Sequence, residues 1–245
     1  MTRMFPFLTS QPNPIGGCAS GNYWGDKGFR LCSFDCSYCW AKDLKTRYKF
    51  PKYQGPWRIY PNAMKIHASD EFPWACDMID IGDPTIPFRE VLFELFRWIG
   101  SQPCPVLLLT KNPMIYRKRS DYIPENAILG ATIESDDPAR LLKISKAPSP
   151  LRRLDDMLAV ANILPKNKRF ISIEPIVMFT NRFIDRIQKI EPWAVAIGYD
   201  NYNNGLEEPP LYYTKELTAD MQEFTTIYMK TFREANHSSL QGETK

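Results

Sequence analysis

Cys32-Ser33-Phe34-Asp35-Cys36-Ser37-Tyr38-Cys39 is the stretch that decides how this chain is read. It has the form C-x3-C-x2-C, which puts three thiols on one short loop. Three thiolates on one short loop can hold three corners of a cubane iron–sulfur cluster. Such a cluster ordinarily takes four cysteine ligands. A three-cysteine loop therefore leaves one iron open to a small molecule, and points to chemistry there rather than to electron storage alone.

Other uses of the thiols have to be weighed beside this one. Structural zinc takes four nitrogen or sulfur ligands, usually as two close pairs separated by a longer stretch. Cys18 stands alone as a fourth donor, and the histidines are His67 and His237. A disulfide framework belongs to an oxidising compartment. No leading apolar segment with a cleavage site is visible, so the expected location is the cytoplasm, where thiols stay reduced. Cys18 is also an alternative cluster ligand in place of Cys32. The run Asn13-Pro14-Ile15-Gly16-Gly17-Cys18 has the look of a strand end turning into a cluster loop over residues 18–40. Cys32 is preferred because its spacing to Cys36 needs no long loop closure. Residues 19–31, with Gly21, Gly25, Gly28, Tyr23, Trp24 and Phe29, then form an insertion, either a flap over the site or a surface loop.

A chain of 245 residues, 44% of them hydrophobic, can bury the core of one α/β barrel-like domain or of two small ones. A single domain over residues 1–236 is expected, with a disordered tail over 237–245. No apolar run approaches the roughly 20 residues needed to span a bilayer. The net charge of +3 does not by itself argue for nucleic acid. Basic clusters at Arg117-Lys118-Arg119, Arg152-Arg153 and residues 166–169 read as solvated helix ends or loops.

Short apolar runs alternate with helix-like stretches. Strands are expected near residues 13–17 and at 75–81, 106–110, 127–133, 170–173 and 194–197. Amphipathic helices are expected at 41–48, 88–99, 113–120, 151–162 and 181–190. The alternation gives about six β–α units and argues for a parallel sheet. A long helical pattern over 214–235, with Leu217, Met221, Phe224, Ile227, Tyr228 and Phe232 on one face, closes the chain as a terminal helix. Five strands end in polar groups: Gly82-Asp83-Pro84, Thr110-Lys111-Asn112, Thr132-Ile133-Glu134, Ser172-Ile173-Glu174-Pro175 and Gly198-Tyr199-Asp200. In parallel α/β folds ligands bind at this edge, because the βα loops converge there. Glu134 and Glu174 follow apolar strands directly and would be costly to bury without partners; a cationic ligand would supply them.

These segments together resemble the radical S-adenosylmethionine (radical-SAM) superfamily. Within it, the chain is similar to a phage- and prokaryote-encoded branch distantly related to spore photoproduct lyase. The matching parts are Asn13 to Gly17, the cysteine motif with Trp40-Ala41, Leu108-Leu109-Thr110-Lys111-Asn112-Pro113, Thr132-Ile133-Glu134 and Ile171-Ser172-Ile173-Glu174-Pro175. The resemblance implies a partial (β/α)6 TIM-like barrel with a [4Fe–4S] cluster at its mouth. It implies Cys32, Cys36 and Cys39 as cluster ligands and S-adenosylmethionine (SAM) on the open iron. One-electron reduction then yields a 5′-deoxyadenosyl radical that abstracts hydrogen from substrate. An external reductant such as flavodoxin or ferredoxin is implied as partner.

By position, Asp83 receives the methionine amino group, although the family's Gly-Gly-Glu-like run reads Gly82-Asp83-Pro84 here. Lys111 meets the SAM carboxylate, Tyr38 packs near the adenine or cluster, and Glu174 and Gly198 fall where ribose or adenine contacts are made. Cys76 and Cys104 are expected at the closed end as core thiols, which disfavours DNA photolesion repair. Tyr199 is the better placed hydrogen donor. Tyr202, Tyr212 and Tyr213 either stack a base or pack beneath the last helix. Two functions remain: a radical-SAM enzyme acting on a nucleoside, nucleic acid or peptide, and a non-catalytic iron–sulfur or zinc module serving structure or partner binding.

Overall fold

The computed structural model describes residues 5–236; the expected tail at 237–245 lies outside the described residues. Two short strands, β1 (Ile15–Gly16) and β2 (Arg58–Ile59), pair antiparallel. Between them runs helix α1 (Trp40–Tyr48). The main sheet has six parallel strands in chain order: β3 (Trp74–Ala75), β4 (Val106–Thr110), β5 (Ala127–Thr132), β6 (Arg169–Ile173), β7 (Ala194–Ile197) and β8 (Thr226–Met229). The connections carry α2 (Phe93–Gly100), α3 (Met114–Lys118), α4 (Pro138–Leu141), α5 (Pro150–Ile163), α6 (Phe183–Gln188) and α7 (Leu211–Gln222). The outermost strands β3 and β8 do not pair with each other, so the sheet stays open.

The central strands are near-continuous apolar runs because parallel strands are buried on both faces. Alternate residues part into two cores. Leu108, Leu129, Ile171, Val195 and Ile197 pack against the helices. Trp74, Leu107, Ile128, Phe170 and Ala196 face the concave interior. Phe5 and Phe7 fill that interior from below: Phe5 lies 5.0 Å from Phe170 and Phe7 lies 4.7 Å from Tyr228, ring centre to ring centre. This aromatic plug occupies the closed end and leaves the C-terminal strand edges as the open mouth.

Three expectations need correction. The strand near 13–17 exists, but as β1 it lies outside the parallel sheet; residues nearer the N-terminus run along the sheet's free edge, where Trp74 N–H donates to the Ser10 carbonyl at 3.0 Å. The strand expected over 75–81 ends at Ala75, because Cys76 takes a left-handed φ of 65° that no extended strand tolerates. The helix expected over 214–235 stops at Gln222 and is followed by β8. Ile227 packs on the helix side and Tyr228 on the interior, the period-two alternation of a strand. In Thr225-Thr226-Ile227-Tyr228, β-branched and aromatic residues favour that outcome. The count of six parallel strands holds, with β8 in place of the expected first strand.

Candidate active site

The motif loop leads directly into α1, with Cys39 as the residue before its first turn. Its backbone and side chains are tied to two neighbours. On one side, Ser33 donates to Asp83 from its N–H at 2.7 Å and from its hydroxyl at 2.9 Å. On the other, Ser37 N–H donates to the Ile144 carbonyl at 2.8 Å, and Lys146 N–H donates to Phe34 at 2.7 Å. Asp35 holds both Lys42, at 2.8 Å, and Lys146, at 2.9 Å. From within the loop, the Tyr38 hydroxyl donates to Glu134.

Cys32, Cys36 and Cys39 line one cavity of about 1170 Å³ at the C-terminal edge of the sheet. That exceeds the roughly 300–1,000 Å³ typical of sites for one small ligand. Thr110, Lys111, Thr132, Ser172 and Glu174 rise into it from the strand ends. Burial, and then the Asp80 carboxylate, push the Cys32 thiol well above its ordinary pKa. Burial likewise raises Cys36, against the opposing pull of Lys111 and the Ser145 hydroxyl 3.0 Å from its sulfur. Metal loading must therefore displace protons from these two thiols.

The structure brings several expected residues to this cavity. Lys111 lies with its ammonium 5.4 Å from the Tyr38 ring centre. Glu174 lines the wall and pairs with Lys230 at 2.6 Å. Gly198 leaves room for that pair, since a Cβ there would sit 3.1 Å from the Lys230 Cβ. Tyr199 also lines the cavity, but its hydroxyl is committed to the Pro209 carbonyl at 2.9 Å and Thr214 at 2.7 Å. Asp83 lines it too, with its oxygens taken by Ser33 and Thr85. Glu134 is not in the wall. It lies beneath the loop, fully buried, with Arg153 at 2.6 Å. Cys18 is elsewhere as well, its sulfur donating to the carbonyl of Asn22 at 3.1 Å.

Trp24, Phe29 and Arg30 lie on the cavity wall, so the insertion over 19–31 is a flap rather than a detached surface loop. Tyr202 lines the mouth and is 62% exposed, whereas Tyr213 packs on Phe179 at 4.7 Å. Two readings are overturned. Cys76 is not at the closed end: the left-handed turn after β3 puts it in the wall of the same cavity, which removes the ground on which photolesion repair was disfavoured. Arg153 is not solvated; it is 1% exposed, because Glu134 gives it a buried partner. Cys104 is a buried core thiol as expected.

Sequence reasoning missed Asp80, Lys45 and Lys230. Asp80 is half-buried in the wall, where it accepts from Lys111 N–H at 2.8 Å, Gly82 N–H at 2.9 Å and the Thr110 hydroxyl. Burial raises its pKa, against the Lys111 ammonium and those donors. Lys45 sits inside the wall on α1, its pKa brought down to about 8 by burial. A signal existed for it: Ala41 and Lys45 are four apart on the helix face that turns inward. Lys230 was hidden by reading β8 as helix.

Whether the residues fit an iron–sulfur cluster can be judged from the donor set. Among the described residues no three Cys, His, Asp or Glu side chains converge closely enough to hold a single ion. Three thiols that share a wall without meeting at a point suit a cluster several ångströms across better than one zinc. The residues present fit the group.

No protein-family model matches the sequence, and no curated protein matches it. Solved structures do resemble its fold. A single-site variant of spore photoproduct lyase superposes with a TM-score of 0.59 at 11% identity, covering 94% of this chain and 80% of that one. The fold they share is an open, partial barrel built on a parallel sheet. A second spore photoproduct lyase variant, with bound S-adenosylmethionine and dinucleoside spore photoproduct, gives 0.57 at 12% identity and covers 90% and 76%. Streptococcus suis SuiB bound to S-adenosylmethionine gives 0.53 at 10% identity, covering 98% of this chain and 54% of that one. No helix among the described residues is long and apolar enough to cross a membrane.

Proposed function

We propose that this chain is a radical-SAM enzyme whose substrate is a nucleoside or nucleic acid. The observation that carries the reading is the convergence of Cys32, Cys36, Cys39 and Lys111 on one cavity at the C-terminal edge of an open parallel sheet. Cys32, Cys36 and Cys39 would hold a [4Fe–4S] cluster, and SAM would bind beside it. Reduced by an external one-electron carrier such as flavodoxin or ferredoxin, the bound pair would supply a 5′-deoxyadenosyl radical.

The chain's own residues bind, orient and shield. Lys111 carries an ammonium without a hydrogen-bond partner among the described residues, suited to the SAM carboxylate. Tyr38, anchored on Glu134, fixes the loop beneath it. Glu174 and Lys230 form the far wall on the expected ribose or adenine side, and Gly198 behind them leaves room for the pair. Asp83 latches the motif loop, whereas Asp80, held by the Lys111 N–H, the Gly82 N–H and the Thr110 hydroxyl, is the carboxylate beside Lys111. Trp24, Phe29, Trp57 and Tyr202 offer aromatic faces around the mouth, the common means of holding unpaired bases. Spore photoproduct lyase, which shares the fold, binds a dinucleoside spore photoproduct. Cys76 in the wall supplies a thiol able to return hydrogen to a substrate radical.

The test is anaerobic reconstitution with iron and sulfide. Near four irons per chain, and 5′-deoxyadenosine formed from SAM with dithionite, support the enzyme. Cys36→Ser should lose the iron and Cys18→Ser should keep it. Stoichiometric zinc without SAM cleavage would instead establish a non-catalytic metal-binding module.

A further inference from the structure

Lys45 occupies a place where a lysine is costly. It lies on α1 six residues after Cys39 and is 6% exposed. Its ammonium donates to the Met78 carbonyl at 2.5 Å and stands 4.4 Å from the Tyr53 ring centre. Among the described residues that carbonyl is its one hydrogen-bond partner, and no carboxylate pairs with it. A buried charge is ordinarily paired, and removing its partner is strongly destabilising. Once Cys39 and Cys32 are thiolates, as cluster ligands must be, their charges would act on it more strongly than Asp77 does. Lys45 also lines the cavity that these cysteines share. Of the other cations nearby, Lys42 is held by Asp35, and the Lys111 ammonium, without a hydrogen-bond partner among the described residues, is drawn by Glu134 and Asp80 as well as by Cys36.

We propose that Lys45 is the built-in counter-charge of the thiolate-bound cluster, and that it raises the cluster's reduction potential. This rests on the radical-SAM reading above. A cubane held by three thiolates is anionic, and reduction adds one more negative charge. A fixed ammonium in a low-dielectric wall stabilises the reduced form more than the oxidised one. The step is a single electron passed from the external carrier to the cluster. Lys45 stays an ammonium throughout, and no proton moves.

The experiment is a potentiometric titration of the anaerobically reconstituted protein, followed by electron paramagnetic resonance and run without substrate. Wild type is compared with Lys45→Met, Lys45→Gln and Lys45→Arg, and SAM affinity is measured on the same samples. The neutral variants should be at least tenfold harder to reduce at a fixed poise, about 59 mV for one electron. Lys45→Arg should stay within twofold of wild type. An unchanged potential in either loaded neutral variant overturns the proposal, whether or not SAM binds more weakly. So does a pair of folded neutral variants that cannot assemble a cluster, since the lysine would then serve assembly. Wild type that fails to take up iron would sink the radical-SAM reading itself, a distinct result.

Discussion

Arg153 Nη1 lies 2.6 Å from Glu134 Oε2, with the side chains 1% and 0% exposed. Neither residue contacts solvent, and neither lines the cavity, yet together they set the motif loop. Glu134 follows β5 and accepts from the Tyr38 hydroxyl. Arg153, on α5, also donates to the Thr132 carbonyl at 3.0 Å and the Pro148 carbonyl at 2.7 Å. The pair therefore joins a strand end, a helix and the loop that carries Cys36 and Cys39.

Removing one member of such a pair leaves an uncompensated buried charge. Arg153→Met should destabilise the protein by about 3–5 kcal/mol and reduce iron retention, because Tyr38 loses its ordered acceptor. Replacing both, as Glu134→Leu with Arg153→Met, should cost less than Arg153→Met alone, since no bare charge remains. Urea unfolding of the two single variants and the double variant measures this. A double variant that costs the sum of the singles would show that the pair carries no coupling.

Asp83 makes a different prediction from the one its position suggests. It receives four hydrogen bonds, two from Ser33 and two from Thr85. A carboxylate so occupied works as a latch for the loop. Asp83→Ala should cost about 1–3 kcal/mol, and Cys32 should become more reactive toward alkylating reagents. Asp83→Asn, which still accepts, should fall between. Loss of SAM affinity with unchanged Cys32 alkylation would mean that Asp83 binds the nucleotide rather than the loop.

Much of the fold was legible in the sequence, for identifiable reasons. Residues 106–110 and 194–197 coincide with β4 and β7, because strands buried on both faces are unbroken apolar runs. β8 was not legible, since Leu217, Met221 and Phe224 continue a helical spacing up to its border, and only the packing of Ile227 and Tyr228 on opposite faces reveals the change of period. Spacing alone grouped Cys32, Cys36 and Cys39, and the structure brings all three to one cavity wall. The site was hidden where a single left-handed residue redirects the chain, as at Cys76. It was hidden again where charge meets charge across the fold. Nothing local marks Arg153 as buried, because its partner lies 19 residues earlier.

Gly17 tests whether the first motif is structural. Its φ is 105°, and a Cβ there would fall 2.5 Å from the Pro56 carbonyl oxygen and 2.6 Å from the Trp57 Cα. Both the backbone conformation and the close approach exclude a side chain. Gly17→Ala should cost about 2–4 kcal/mol, the combined range of strained backbone and overpacking. Gly25 in the flap has a φ of 95° but meets nothing within 4 Å, so Gly25→Ala should cost only about 1 kcal/mol. Thermal unfolding of both separates the two effects; equal losses would refute the packing account.

The Glu174–Lys230 pair should show itself through pH. Burial raises the Glu174 carboxyl above its usual range, and Lys230 opposes that rise. Lys230→Met removes the opposing charge, so the native pKa climbs further. A raised native pKa means that the folded protein binds more protons than the unfolded one. Stability is then fully present below the ordinary carboxylate pKa and falls as pH rises through the native value. The penalty of Lys230→Met should therefore be smaller near pH 5 than at pH 7, by on the order of 1–2 kcal/mol. Glu174→Gln in the same background should flatten the difference, because the titrating group is gone. Urea midpoints at the two pH values decide it, and an equal penalty at both would show that Glu174 keeps its charge without Lys230.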